Sequence, residues 1–432
     1  MTVTDPSKAL ASRSDACFSA RIPGSKSYTN RALLLAAMRP GATQVAGGLL
    51  CDDTRRLAEA LDAFGGLSAK ETPTGFDVVR DGDTVTAPAE PVHMGAAGTP
   101  ARFMLGFAAS ADGGTVVTGT ERLCERPMND LLDALRAMGL TVECLQTEGC
   151  LPARVTGGPI GTRAWSLSGE TSSQFTSSLL LLASQQPAGD PVTVSVTGNV
   201  VSRPYVDMTL SMMNAVGLQA ERGQGEDIVV TPGRVGSDVI QVEPDASGMS
   251  YFLAAAAVTG TEVEIPGIGG DSAQGDVGLA RAFERMGCTL TMTGDSIRLK
   301  GGPLKGIDID METMPDVVLT LATVAALAEG PTRVTNIANL RIKECDRIHA
   351  TCAELARLGV KVEEGEDWLA VHPHGSVNAG RVETYDDHRV AMAFSILGLV
   401  TDGIEIEDPA CVAKSFPDFW DELARFRAHH EG

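Results

Sequence analysis

The sequence predicts an α/β protein of two pseudo-symmetric halves, each built from three helix-and-strand units, and two observations carry that prediction. The first is a recurring pattern in which an amphipathic helix ends in glycine and a β-rich segment follows. The stretches LAEALDAFG, LLDALRAMG, TLSMMNAVG, RAFERMG and AELARLG end at Gly65, Gly139, Gly217, Gly287 and Gly359. The second is the interval between those glycines, roughly seventy to eighty residues each time. A sixth helix at 419–429 continues the series, so six such units fill the 432 residues.

Each element follows from its local chemistry. The apolar spacing gives every helix one face to bury, and each glycine stands where a left-handed cap ends a helix. One unit cannot cover both of its faces, so three units are expected to pack their helices together under sheet. The helices of a trio would then share an end. Their N-termini carry partial positive charge and attract anions.

Composition narrows the function. The hydrophobic fraction of 43% supports a large core, and with aromatics at only 4% aliphatic side chains and alanine must fill it. The first twenty residues hold no apolar run of signal-peptide length, and the longest apolar stretches, 178–183 and 319–328, are too short to span a bilayer. A cytoplasmic protein is expected. The nine cysteines show no Cys-x-x-Cys pair, so reduced and mostly buried thiols are expected rather than zinc or disulfides. His372 and His374, with Pro373 between them, read as loop residues and not as metal ligands. A net charge of −21 disfavours nucleic acid and anionic membrane as partners. If the substrates are anions, cations must gather at one place against that acidic background.

Cations do gather at helix starts. In PGSKSYTNR, 23–31, Lys26 and Ser27 open a helix, and Arg31 lies one turn on along the same face. Backbone N–H groups, a hydroxyl, an ammonium and a guanidinium at one point suit a phosphate. In GAAGTPAR, 95–102, Thr99 reads as an N-cap and Pro100 as the first helical residue. Arg126 precedes another helix, and Ser172, Ser173 and Gln174 start one without charge. In LRIKECDR, 340–347, Lys343 and Arg347 read as like charges four apart at a helix N-terminus. The macrodipole disfavours that pair; Glu344 and Asp346 relieve part of the strain, and a bound anion would relieve the rest. Arg389 follows Asp386 and Asp387 at the start of an apolar helix, Lys414 precedes the last helix, and Asp316 reads as a cap.

These motifs occur in one order from end to end. PGSKSYTNRALLLAA, GAAGTPARF, ERP, SSQF, VSRPYVDMTL, GDxGLARAFERMG, MPDVVLTLA, NIANLRIKECDRI, DDHRVAMAF and AKSFPDF resemble the enolpyruvyl transferase family, and within it the 5-enolpyruvylshikimate-3-phosphate synthases. The resemblance implies a two-domain fold, each domain three βαβαββ units with helices packed inside a sheet about a pseudo-threefold axis. It implies a discontinuous domain of 1–24 plus 244–432, carrying mainly phosphoenolpyruvate-side and catalytic residues. A second domain, 25–243, would carry mainly shikimate 3-phosphate-side residues, with the active site in the cleft and crossovers near 21–25 and 241–245.

It implies roles as well. Lys26, Ser27, Arg31, Ser172, Ser173, Gln174, Ser202, Asp316, Asn339 and Lys343 resemble the shikimate 3-phosphate ligands. Lys26, Gly98, Arg126, Gln174, Arg347, Arg389 and Lys414 resemble the phosphoenolpyruvate ligands, with Glu344 beside them. Asp316 is the expected activator of the substrate hydroxyl, Lys414 or Glu344 the expected proton donor, and Lys26 a further catalytic residue. No metal or organic cofactor is implied, and a monomer is expected. Ala96 departs from the family's usual asparagine, which bears on inhibition by glyphosate, and the family often has asparagine where Asp386 stands. The alternatives are a transferase with another acceptor, UDP-N-acetylglucosamine or a secondary-metabolite phosphate, or a catalytically silent anion-binding protein.

Overall fold

In the computed structural model, which describes residues 17–198, 200 and 202–432, one sheet pattern recurs throughout the chain. A first strand pairs parallel with a second, and an antiparallel hairpin then pairs with the second through its outgoing strand. The strands Ala164–Ser168, Val192–Thr197, Gln219–Arg222 and Asp227–Thr231 show it fully. Helix Ser173–Ser184 lies between the first two strands in sequence, and helix Arg203–Ala215 between the second and third. Each repeat therefore reads βαβαββ.

The chain divides into two compact units, Pro23–Glu243 and a discontinuous one of Met1–Ile22 with Pro244–Gly432. The internal unit holds three four-stranded sheets. In the sheet around Gly41–Ala46, the parallel first strand is Val239–Gln241, from the far end of the segment. The discontinuous unit does the same, because Phe18–Ser19 supplies the first strand beside Glu262–Pro266. In its last repeat Gly380–Val382 pairs with Ile404–Ile406, and helix Phe419–Glu431 follows. The fold is thus two pseudo-symmetric α/β domains of repeated units, with helices packed against sheets. Residues 1–16, part of the amino-terminal stretch assigned to the discontinuous domain, lie outside the described residues, as do Asn199 and Val201 beside Ser202.

Helix position follows composition. The first helix of each repeat is apolar almost all round, as a fully enclosed helix must be. In Ala246–Thr259 and Val318–Ala325 nearly every residue is buried, and in Lys26–Met38 burial extends from Tyr28 to Met38. The second helix of each repeat, such as Gly278–Met286 or Arg347–Arg357, keeps one solvated face. Alanine and aliphatic side chains do fill the core.

Several local expectations are corrected. Gly139, Gly217, Gly287 and Gly359 take left-handed φ, but in the first repeat Gly66 does so at φ 87°, and Gly65 instead bridges Thr86. Thr99 is not an N-cap: helix Gly98–Ala108 begins earlier, with Ala97 in that position and no side-chain cap. Lys343 lies outside helix Arg347–Arg357, whose N-cap is Asp346, so the expected like-charged pair within one helix does not exist. His372 ends strand Leu369–His372, and its ring lies 3.2 Å from Glu363. All nine cysteines are free, yet only Cys51, Cys288 and Cys352 are buried.

Helix Gly98–Ala108 packs closely on helix Ser173–Ser184. A Cβ at Gly106 would lie 2.2 Å from Ser178 Oγ and 3.1 Å from its carbonyl oxygen, while Ser178 Oγ donates to the Arg102 carbonyl at 2.9 Å. Helix propensity alone would make Gly106→Ala stabilising by about 1 kcal/mol. Overpacking reverses the sign, so the variant should lose about 1–3 kcal/mol. A lower denaturant midpoint is expected; a raised one would disprove the close approach.

Candidate functional site

In the internal unit, the site residues sit at helix starts. Gly24 lets the chain enter the first of these closely, since a Cβ there would lie 1.9 Å from the Gly47 carbonyl oxygen. Ser25 then caps helix Lys26–Met38. Lys26 Nζ lies 3.1 Å from Asp53 Oδ2, on the first turn of helix Asp52–Asp62. Ser172 caps helix Ser173–Ser184, accepting from the Gln174 N–H at 3.3 Å. Gln174 Oε1 accepts from Arg102 Nη1 at 2.6 Å, and the Arg102 guanidinium lies over the Phe175 ring at 5.2 Å. Gly98 leaves space for Arg126: a Cβ there would lie 2.6 Å from Arg126 Nη1. Ser202 precedes helix Arg203–Ala215 at φ 54°.

Arg31 is placed differently from a surface ligand. It is 1% exposed, and burial lowers its guanidinium to about 10. Nε donates to Thr209 Oγ1 at 2.7 Å and Nη1 to the Ser27 carbonyl at 2.9 Å. Nη2 donates to Ser177 Oγ at 3.2 Å and the Tyr205 carbonyl at 3.0 Å. Four of the five N–H donors of an arginine therefore fix the start of its own helix to two others.

The discontinuous unit assembles a denser cluster, and Arg347 is its centre. Its Nε donates to Asp387 Oδ2 at 2.7 Å and its Nη1 to Asp316 Oδ1 at 3.0 Å. Its Nη2 donates to Glu344 Oε2 at 2.9 Å and to Asp387 Oδ1 at 3.2 Å. The sequence reading expected an external anion to relieve Arg347; three of the protein's own carboxylates do so. They hold the guanidinium firmly protonated although burial opposes its charge. Asp387 also caps helix His388–Ser395, accepting from the Arg389 N–H at 2.9 Å. Burial pushes the Cys345 thiol, 3.6 Å from Asp387, up to about 12, so it stays neutral.

Asp316 is not a simple cap. It lies in the 3-10 turn Pro315–Val317 with no capping hydrogen bond there. Its carboxylate meets Arg389 Nη2 at 3.1 Å and Lys343 Nζ at 4.0 Å besides Arg347. Burial lowers the Lys343 ammonium, and Asp316 opposes that shift. The Lys343 side chain remains 24% exposed. Glu344 bridges onward to Lys414, Nζ to Oε1 at 3.4 Å. Asn339 lies in the 3-10 turn Ala338–Ile342 just before Lys343.

The ion-paired set holds four cations, Lys343, Arg347, Arg389 and Lys414, against three carboxylates, Asp316, Glu344 and Asp387. Counted at formal charge over these ion pairs alone, one positive charge is left over, in a chain whose net charge is −21. Concentrated positive charge with polar donors suits anion binding, and a carboxylate among it can take a proton. Asp276 and Ser247 went unremarked in the sequence, although GDxGLARAFERMG contained the former. An aspartate just before a helix looks like any other cap. Among the described residues no group of three or more His, Cys, Asp or Glu side chains could hold a metal ion, and no helix is long and apolar enough to cross a membrane.

Comparisons with known proteins show the family. The model of the EPSP synthase (3-phosphoshikimate 1-carboxyvinyltransferase) family matches residues 18–423. The 3-phosphoshikimate 1-carboxyvinyltransferase of Vibrio cholerae is 39% identical over 409 residues, 94% of this chain and 95% of that protein. The Yersinia pseudotuberculosis enzyme of that name is 41% identical over the same shares. Among solved structures, EPSP synthase from Acinetobacter baumannii superposes with a TM-score of 0.80 at 28% identity, covering 95% of this chain and 96% of that one. The enolpyruvyl transferase NikO from Streptomyces tendae shares the fold, with a TM-score of 0.72 at 17% identity over 96% of this chain and 95% of its own. The chain belongs to the EPSP synthase family and is a transferase that carries the enolpyruvyl group of phosphoenolpyruvate to shikimate 3-phosphate.

Proposed function

We propose that the cluster around Asp316 performs the proton transfers of this reaction, and that the positive surplus around it holds phosphoenolpyruvate. The observation that carries the reading is the single Asp316 carboxylate shared by Lys343, Arg347 and Arg389. Those cations hold it in place, as a base acting on a hydroxyl requires. In this reading Lys26, Ser27, Arg31, Ser172, Ser173, Gln174, Ser202, Asn339 and Lys343 hold shikimate 3-phosphate. Arg126, Arg347, Arg389, Lys414 and Lys26 hold phosphoenolpyruvate, with Gly98 and Gln174 beside it.

The chemistry follows in two stages. A proton adds to the methylene carbon of phosphoenolpyruvate, and cationic character develops at C2. The 5-hydroxyl of shikimate 3-phosphate attacks C2 as its proton passes to Asp316, giving a tetrahedral intermediate. A proton then leaves the new methyl group, the double bond re-forms and phosphate departs, its charge met by Lys26 and the arginines. Lys414 and Glu344 were alternatives as the proton donor. Their 3.4 Å contact makes them one pair, in which Lys414 can donate while Glu344 steadies it and takes the proton back.

Asp316→Asn should lower kcat about a hundredfold or more, with the KM of each substrate changed much less. Phosphate release from phosphoenolpyruvate in the presence of shikimate 3-phosphate measures it. Wild-type kcat in this variant would remove Asp316 from the chemistry. Gly98→Ala should leave folding intact, because the clash falls on the far end of the flexible Arg126 side chain. It should raise the KM for phosphoenolpyruvate about tenfold, the loss of roughly one charge-assisted hydrogen bond. An unchanged KM would exclude Arg126 as a ligand held by that glycine.

A further inference from the structure

A fully buried carboxylate outside the cluster ties together two of the elements that build it. Glu354 lies in helix Arg347–Arg357, two turns beyond Arg347. Its Oε1 accepts from the Tyr385 hydroxyl at 2.8 Å and its Oε2 from the Glu383 N–H at 3.1 Å. Its counter-charge is Arg357, Nη1 to Oε2 at 3.2 Å, at the end of the same helix. The segment it grips, 383–387, joins strand Gly380–Val382 to helix His388–Ser395. Tyr385 and Asp386 there take left-handed φ, 55° and 54°, which residues with a Cβ resist. The Asp387 N–H closes the turn on the Thr384 carbonyl at 2.8 Å. Asp387 then accepts from Arg347 Nε and Nη2 and caps the helix that carries Arg389. Helix Arg347–Arg357 therefore holds this segment at two points, through Glu354 at one end and Arg347 at the other.

We propose that Glu354 is a positioning residue for phosphoenolpyruvate binding: with the Tyr385 hydroxyl it holds the left-handed turn that delivers Asp387 to Arg347 and starts the helix of Arg389. Two left-handed residues in succession relax unless their surroundings over-determine them. Arg347 holds the turn only beyond those residues, at Asp387. The bonds to Glu354 hold it at Tyr385 and just before, at Glu383. Without them the turn is relaxed in part of the molecules, Asp387 withdraws, and Arg347 and Arg389 lose their aim. Apparent affinity for the substrate anion then falls with the fraction that keeps the competent turn. Burial reinforces the constraint, because a carboxylate away from water must keep its donors. Burial, and next the hydrogen bond to Glu354, raise the Tyr385 phenol above its ordinary value, so the hydroxyl remains a donor at neutral pH. The proposal rests on the reading of Arg347 and Arg389 as phosphoenolpyruvate ligands.

The test is kcat and the KM for phosphoenolpyruvate at saturating shikimate 3-phosphate, together with amide hydrogen exchange over 383–389. Tyr385→Phe removes one hydroxyl and keeps the ring. It should raise that KM about threefold to tenfold, the loss of roughly one buried hydrogen bond, with kcat changed less than about twofold. Glu354→Ala should raise it further, and Glu354→Gln, which keeps one acceptor oxygen, should fall between Glu354→Ala and the wild type. Adding Tyr385→Phe to Glu354→Ala should change nothing more, because the hydroxyl acts through that carboxylate; independent losses of packing would add. Exchange over 383–389 should be faster in Tyr385→Phe than in the wild type. An unchanged KM or unchanged exchange in Tyr385→Phe overturns the proposal, and this variant decides alone if Glu354→Ala does not fold. Arg389→Lys should raise the same KM. If it does and Tyr385→Phe does not, only the role of Glu354 fails; if Arg389→Lys leaves KM unchanged, the ligand reading fails and the proposal with it.

Discussion

A guanidinium taken out of water must find its counter-charges within the protein, and Arg347, 1% exposed, finds three. Removing such an ion from solvent costs several kcal/mol unless excellent geometry offsets it. The paired contacts to Asp387 and single contacts to Asp316 and Glu344 supply that geometry. The dependence is mutual, since three carboxylates at one point repel each other without a cation among them. Asp316 can then orient Arg389 and Lys343, and Glu344 can orient Lys414. One buried charge thereby fixes the positions of six others.

The repeat architecture makes that meeting possible. Asp316 and Asp387 both lie at the starts of enclosed first helices, Val318–Ala325 and His388–Ser395, from successive repeats. Arg347 opens the second helix of the earlier repeat. The enclosed helices must be nearly free of charge along their length, so their polar residues collect at the ends. In the internal unit the same rule puts Lys26, Gln174 and Ser172 at helix starts and leaves Arg31 inside, satisfied by Thr209, Ser177 and two carbonyl oxygens. The last repeat likewise carries two helices, with Arg389 on the first and Lys414 in the 3-10 turn before the second.

Much of this was legible in the sequence. The repeat interval and the apolar faces foretold the units, because helix burial imposes a period on the chain. The cations were legible one by one, because each stands in a short motif at a helix start. Their partners were not. Asp387 suited the start of its helix, which it caps, and nothing near it in sequence points to Arg347, forty residues away. Lys343 and Arg347 were misplaced on one helix because the break at Asp346 depends on a side-chain cap that charge spacing does not reveal. Asp276 was missed for a related reason. A buried acid that accepts a hydrogen bond from Ser247 has the same local sequence as an exposed one.

In the proposed reading the fork of Arg347, and not merely its charge, organises the anion site. Arg347→Lys keeps the charge but cannot reach three carboxylates in one plane. Isothermal titration of phosphoenolpyruvate into this variant, saturated with shikimate 3-phosphate, tests the claim most directly. The account predicts affinity at least about tenfold weaker than in the wild type, the loss of one or more charge-assisted contacts. Wild-type affinity in a folded Arg347→Lys protein would contradict it.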